Sequence, residues 1–327
     1  MTRGRVISGG AETNVALADR VLIGAEGLAD PKEAVVRYAR AASEGSGAAA
    51  ARHALLAALG VGRTQSWTDA LDLLLLGAEL GDQMARRQLS VLAGRDPWSP
   101  SGQPRSVQFW RRVRGEINLD ALFAPPRPER VFENPRIWVS QGFMPPLICR
   151  WLIKRSLSRL QRGFVNDAMT GETSHHPMRT ARSSGFSMLD RDVVIAFAQE
   201  RAALITGIHV HLHEPPNVIS YAPGEQFEAH YDFVDPNVTH FKEELALLGQ
   251  RTVTLVTYLN DGFEGAETDF PRLGWRFRGA TGDAVVFYNI DAEGSVDPMT
   301  LHAGLPPTRG RKWVLSQWLR DKVQPLV

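Results

Sequence analysis

One cysteine in 327 residues rules out an intrachain disulfide. Cys149 lies in an apolar, helix-like run (146–153) and reads as a buried structural thiol, which fits a reducing compartment. An excess of charge of either sign is also missing. With 37 basic and 36 acidic side chains, the net charge of +1 gives no electrostatic basis for binding nucleic acid or an anionic membrane surface. Long apolar runs are absent too. The longest, such as 73–76, fall far short of the roughly 20 residues that span a bilayer, and residues 1–5 lack the apolar core of a signal peptide. The expectation is a soluble, cytoplasmic chain, long enough for two domains that each bury a core.

Residues 12–94 are rich in Ala and Leu and poor in β-branched types, which favours helix. An internal repeat appears at an offset of 36. Ala34, Ala42, Gly45 and Ala49 recur as Ala70, Ala78, Gly81 and Ala85, and Leu56-Ala57 recurs as Leu92-Ala93. Each unit reads as helix, Gly-containing turn, helix, with small residues where the helices must approach closely. A repeat of about 34 to 40 residues marks a helical hairpin array. The pattern resembles Sel1-like repeats, which are relatives of the tetratricopeptide repeat.

After Gly94 the texture changes. Asp96-Pro97-Trp98-Ser99-Pro100 and Ala124-Pro125-Pro126-Arg127-Pro128 are linker-like, with a short helix expected over 106–114. A strand is expected at 137–139 and a helix over 145–161, with Leu147, Trp151, Leu152 and Leu157 on its apolar side. A polar loop is expected over 171–184, and a second helix over 190–206. The last third has strand periodicity at 218–221, 252–259, 284–288 and 313–319, punctuated by Gly turns, with a short helix inserted over 241–248. This is an α+β chain: an all-α repeat domain (1–105), a linker (106–131) and a jelly-roll or barrel domain (132–327) with flanking helices.

The chemistry gathers between Tyr221 and Lys312. His230 and Asp232 are two apart on an extended segment, and strand side chains two apart share a face. His302 comes just before a second apolar strand. Two imidazoles and one carboxylate with open positions is the ligand set of non-haem Fe(II) oxygenases. Lys312, ten residues after His302, is a cation placed to hold a carboxylate. His209, His211 and His213 alternate as a second possible metal face, but no downstream partners complete them, and they read as one polar side of an extended segment.

Several blocks in one order resemble the prolyl 4-hydroxylase branch of the Fe(II)/2-oxoglutarate dioxygenases, over residues 132–320. They are Arg179-Thr180 with Ser183-Ser184, Glu214 with Val218-Ile219-Ser220-Tyr221, Tyr221 through Phe227 to His230 and Asp232, and residues 251–260. Gly265-Ala266-Glu267-Thr268-Asp269-Phe270-Pro271, Gly282-Asp283-Ala284 through Asn289, His302-Ala303-Gly304 and Gly310-Arg311-Lys312-Trp313 complete the set. Asn217 stands where the family has Gln, Ala266 where it has Gly, Phe227 where Tyr is common, and Arg320 where a second His occurs.

The resemblance implies a double-stranded β-helix that binds Fe(II) through His230, Asp232 and His302. It implies 2-oxoglutarate held by Lys312 with hydroxyls from Tyr221 and Thr268, O2 as oxidant and ascorbate as reductant. Glu214, Arg251 and Trp318 would line the channel for a peptide or protein substrate, which the repeats would present, and succinate and CO2 would be released. Two other readings stay open: oxidation of a free amino acid or small natural product, and a non-catalytic repeat scaffold with a decayed oxygenase domain.

Overall fold

In the N-terminal region, four polar residues start four helices. Asp30, Ser46, Ser66 and Asp82 each accept a hydrogen bond from the backbone N–H three residues on, giving α2 (Pro31–Ser43), α3 (Gly47–Leu59), α4 (Trp67–Glu79) and α5 (Gln83–Leu92) after α1 (Gly9–Ile23). Asp30 and Ser66 stand one repeat apart, as do Ser46 and Asp82, so the 36-residue period sets the helix starts as well as the small residues. Gly45 and Gly81 turn the chain at φ of 100° and 97°, values that favour glycine. A Cβ on Gly47 would lie 2.9 Å from the Gly77 carbonyl oxygen, so α3 and α4 meet backbone to backbone. The repeated Ala34, Ala42, Ala49, Ala70, Ala78 and Ala85 are all buried. The expected repeat of helical hairpins is the observed fold.

The computed structural model describes residues 9–98, 106–162, 165–166, 173–174 and 179–326. The N-terminal residues read above for a signal peptide, the Ser99-Pro100 end of the first linker and residues 171–172 and 175–178 of the expected 171–184 loop lie outside them. Chain contacts divide the molecule into two units. The first comprises residues 1–123 with 187–197 and 326–327, and the second 124–186 with 198–325. Within the first, α6 (Val107–Gly115) packs on α4 through the Arg111–Glu79 and Arg114–Asp72 ion pairs, and α7 (Leu119–Leu122) follows.

The second unit is built on strands with helices between them, one of which begins with residues 193–197 of the first unit. In chain order these are β1 (Glu129–Phe132), β2 (Ile137–Ser140), α8 (Pro146–Ser156), β3 (Gln161–Arg162), β4 (Val165–Asn166), β5 (Thr173–Ser174), β6 (Arg182–Gly185), α9 (Val193–Thr206), β7 (Asn217–Tyr221) and β8 (Phe227–His230). Then come α10 (Lys242–Leu248), β9 (Arg251–Tyr258), β10 (Phe263–Gly265), β11 (Thr268–Phe270), β12 (Trp275–Phe277), β13 (Ala284–Tyr288), β14 (His302–Gly304), β15 (Pro307–Gly310) and β16 (Lys312–Arg320). An eight-stranded antiparallel sheet runs β1-β2-β13-β9-β16-β7-β6-β3, and a four-stranded one runs β12-β11-β14-β8. Between them lies a core that includes Ile219, Val256, Tyr258, Phe270, Val285, Phe287 and Val314. This is the jelly-roll expected from the sequence.

Period two explains the large sheet. On β9, Thr254, Val256 and Tyr258 share the face turned to the small sheet. On β16, Lys312, Val314, Ser316 and Trp318 do the same.

Four local expectations need correction. α8 stops at Ser156 rather than 161, and Leu157 is half exposed, because the apolar face that packs on β6 and β7 is Ile148, Cys149, Trp151 and Leu152. Residues 182–184 of the expected polar loop belong to β6, since pairing with β7 satisfies their backbone. β8 ends at His230, so Asp232 lies beyond the strand. Residues 210–212 form a single tight turn, which turns His213 inward and breaks the expected polar face.

Candidate metal centre

His230 and His302 are directly opposite partners on β8 and β14, a pairing that brings side chains on one face within a few ångströms. Their ring centroids are 4.4 Å apart. In each ring Nδ1 contacts the carbonyl two residues back: Glu228 O at 2.7 Å for His230, and Thr300 O at 3.0 Å for His302. A carbonyl only accepts, so Nδ1 carries the hydrogen and Nε2 is left as the lone-pair donor in both. Both Nε2 atoms face Asp232, at 3.6 Å from Oδ1 for His230 and 3.4 Å from Oδ2 for His302.

The three ligand atoms lie within 4.8 Å of one another, and this is the only group of three or more such side chains among the described residues. Ligands about 2 Å from a shared ion span separations of this order. The alternating His209, His211 and His213 therefore do not form a second set. His213 is buried, with Nε2 2.9 Å from the Ile208 carbonyl.

Burial pushes the His302 imidazole down to about 4, so it is neutral and able to ligate near pH 7. Burial alone would raise the Asp232 carboxyl, but His302 and His230 beside it hold it well below the ordinary carboxylate range. Phe227 stacks on the His230 ring at 3.5 Å, and Phe287 and Phe270 stand against His302. The donor set, its tautomers and its apolar walls fit an Fe(II) site.

Lys312 lies further along the same cleft, which Tyr221, Thr268, Gly304 and Trp318 also line. It is 1% exposed, and its Nζ donates to the Ala266 carbonyl at 2.7 Å. No described carboxylate lies within ion-pair distance of it. Burial pushes its ammonium down to about 7, with Glu267 opposing, as expected for a buried cation that has no paired anion. Ala266, at φ 58°, is the only described residue other than glycine with positive φ, and it stands where the resembled pattern has Gly.

The Tyr221 hydroxyl makes no hydrogen bond among the described residues and lies against Gly304, where a Cβ would be 2.8 Å from it. Burial raises it to about 12, so it is a donor at any ordinary pH. Thr268 is less free. Tyr258 gives its one hydrogen to the Phe277 carbonyl at 2.8 Å, so across the 2.9 Å contact the Thr268 hydroxyl is the donor to Tyr258.

The three expected substrate residues separate. Trp318 lines the cleft, but Glu214 and Arg251 do not. Glu214 accepts from Arg251 at 2.6 and 3.1 Å and from Arg320 at 2.5 Å, and Arg320 also pairs with Glu244 of α10 at 2.5 Å. Arg251 lies 4.3 Å over the Trp318 ring.

The sequence reading assigned no role to Arg179, Thr254 or Asn289. Arg179 is buried, with its guanidinium 4.8 Å over the Phe227 ring. Thr254 donates directly to Asp232, a contact that its own place on β9 did not signal.

Residues 216–320 match the model of the 2OG-Fe(II) oxygenase superfamily. The chain is similar to the Arabidopsis thaliana protein named "Probable prolyl 4-hydroxylase 3", at 30% identity over 205 residues, covering 57% of this chain and 69% of that one. Among solved structures, it is similar to the viral collagen prolyl hydroxylase of Paramecium bursaria Chlorella virus-1 (25% identity, 57% of this chain and 96% of that one, TM-score 0.43). It is also similar to a Sel1 repeat protein from Oxalobacter formigenes (25% identity, 35% of this chain and 46% of that one, TM-score 0.25).

Proposed function

The chain belongs to the 2OG-Fe(II) oxygenase superfamily and has prolyl 4-hydroxylases among its relatives, and we propose that it hydroxylates a prolyl residue of a peptide or protein, consuming 2-oxoglutarate and O2 and releasing succinate and CO2. The observation that carries this reading is the presence, in one cleft, of a His-Asp-His set at one end and a buried, unpaired lysine at the other.

Iron bound there would supply the oxygen chemistry, with ascorbate as reductant. His230 and His302 present neutral lone pairs, and Asp232 brings one negative charge. Lys312 pairs with the distal carboxylate of 2-oxoglutarate as a point charge, and the Tyr221 hydroxyl donates beside it. Thr268 joins them once its bond to Tyr258 is exchanged. Phe227, Phe270 and Phe287 keep water from the imidazoles. Trp318 offers an aromatic wall on which a substrate ring packs, held in place by Arg251 over its indole.

The charge arrangement favours a peptide over a free amino acid. A free amino acid calls for a cation to grip its α-carboxylate, and Arg320, which stands where the family has a second His, is the candidate. That side chain is 2% exposed and already engaged by Glu214 and Glu244. Stacked helix pairs of the repeat type suit polypeptide binding, and we assign residues 1–105 the presentation of substrate, 106–131 the linker and 132–327 the chemistry.

The test compares substrates. Capped Pro-containing peptides should stimulate succinate release more than free proline does, and Trp318→Ala should abolish that stimulation. Stimulation by free amino acids with every peptide inert would overturn the peptidyl reading.

A further inference from the structure

Asp232 is the one triad member that lies outside regular structure, two residues past the end of β8. A carboxylate there has freedom to rotate about its side-chain bonds, and through both oxygens it could occupy two positions on a metal. The large sheet restrains it. Thr254 Oγ1 donates to Asp232 Oδ2 at 2.8 Å, and Asn289 Nδ2 donates to Thr254 Oγ1 at 3.0 Å.

The direction of both bonds follows from the hydrogens available. Asp232 is ionised and can only accept, so the single hydroxyl hydrogen of Thr254 goes to it. The hydroxyl oxygen is then left as an acceptor, which requires Asn289 to present its NH2. Thr254 and Asn289 are both fully buried, so water does not compete for either bond. The strut also crosses between sheets: Thr254 sits in the middle of β9, paired with Phe287 on one side and Trp318 on the other, whereas Asp232 follows β8 of the small sheet.

Resting on the metal-site reading above, we propose that Thr254 and Asn289 are positioning residues that keep Asp232 a one-oxygen ligand. Oδ2, although 3.4 Å from His302 Nε2, is engaged by the Thr254 hydroxyl, which leaves Oδ1, 3.6 Å from His230 Nε2, to the metal. This preserves the third open position that a two-point co-substrate and O2 together require. Hydrogen-bond partners of this kind typically change metal affinity by about 10- to 100-fold when removed.

The test uses Co(II) as the metal probe on the full chain, without co-substrate or peptide, reading affinity and the visible ligand-field spectrum. Thr254→Val keeps the shape and removes the donor. It should weaken Co(II) binding by about 10-fold or more and change the spectrum, as the freed carboxylate takes a second position. Thr254→Ser, which restores the hydroxyl, should return both to wild type, and a structural role of the methyl group alone would not give that rescue. Asn289→Leu removes only the outer bond and should fall between them, and it serves as the probe if Thr254→Val does not fold. Unchanged affinity and spectrum in Thr254→Val, or in Asn289→Leu if that variant must stand in, overturns the strut. So does a Thr254→Ser variant as weak as Thr254→Val. A wild-type chain that takes no Co(II) overturns the metal assignment itself, a result distinct from either.

Discussion

The two ends of the cleft treat charge in opposite ways. At the metal end, Asp232 faces the lone pairs of two imidazoles, accepts from the Thr254 hydroxyl and has the Arg251 cation 3.5 Å from its backbone oxygen. At the other end Lys312 is as deeply buried but meets only a carbonyl and two aromatic faces, those of Tyr221 and Tyr258 at 5.2 and 4.8 Å. A buried carboxylate held ionised is ready for a cation. A buried ammonium pushed toward neutrality is ready for an anion, because an anion removes the cost of its burial. The Glu214–Arg251–Arg320–Glu244 network gives the contrast, since its two positive and two negative groups balance internally and leave no call for a charged ligand.

The largest expected effect comes from breaking the metal end. His302→Ala or Asp232→Ala removes one of three ligands, and 2-oxoglutarate-dependent succinate formation should fall to background together with Fe(II) binding measured by equilibrium dialysis. Retained Fe(II) in both variants would place the metal elsewhere.

Breaking the other end should be milder and selective. Lys312→Met should keep the metal but weaken 2-oxoglutarate by about 2 to 5 kcal/mol, the usual cost of removing one partner of a buried charged pair. pH sharpens the same contrast. The folded value of Lys312 (about 7) lies below its ordinary 10.5, so between the two the unfolded chain binds more protons, and the stability of the chain without co-substrate rises with pH across that window. Pairing with a carboxylate needs the ammonium, so 2-oxoglutarate affinity should fall as pH rises above about 7, with proton uptake on binding seen by calorimetry in buffers of different ionisation enthalpy. Lys312→Met should lose that slope. A slope unchanged by the substitution would assign the proton to another group.

Much of this was legible in the chain because it rests on periodicity. The 36-residue offset located the paired helices, since each Ala in it is buried where helices pack and each Gly in it turns the chain. Alternation put His230 and Asp232 together, and the resemblance brought His302, Lys312 and Tyr221 to the same cleft. The misses share a different cause, which is that pairing and packing overrode local pattern. β6 looks polar because what holds it in the sheet is backbone pairing to β7. His213 turned inward because one turn breaks the alternation. Glu214 reads as a substrate group until Arg320, 106 residues away, is seen to hold it. Thr254 and Asn289 gave no sign on their own, because a hydroxyl and an amide acquire a role only through the carboxylate that the other sheet brings to them.

The most direct test of the central claim measures stoichiometry with a capped Pro-containing peptide, Fe(II), 2-oxoglutarate and O2, following succinate and the mass of the peptide together. The account predicts one oxygen atom, a gain of about 16 Da, per succinate formed on a prolyl residue, with both products lost in His302→Ala and both restored at high 2-oxoglutarate in Lys312→Met. Succinate formed without modification of any peptide, or peptide oxidation that persists without 2-oxoglutarate, would contradict it.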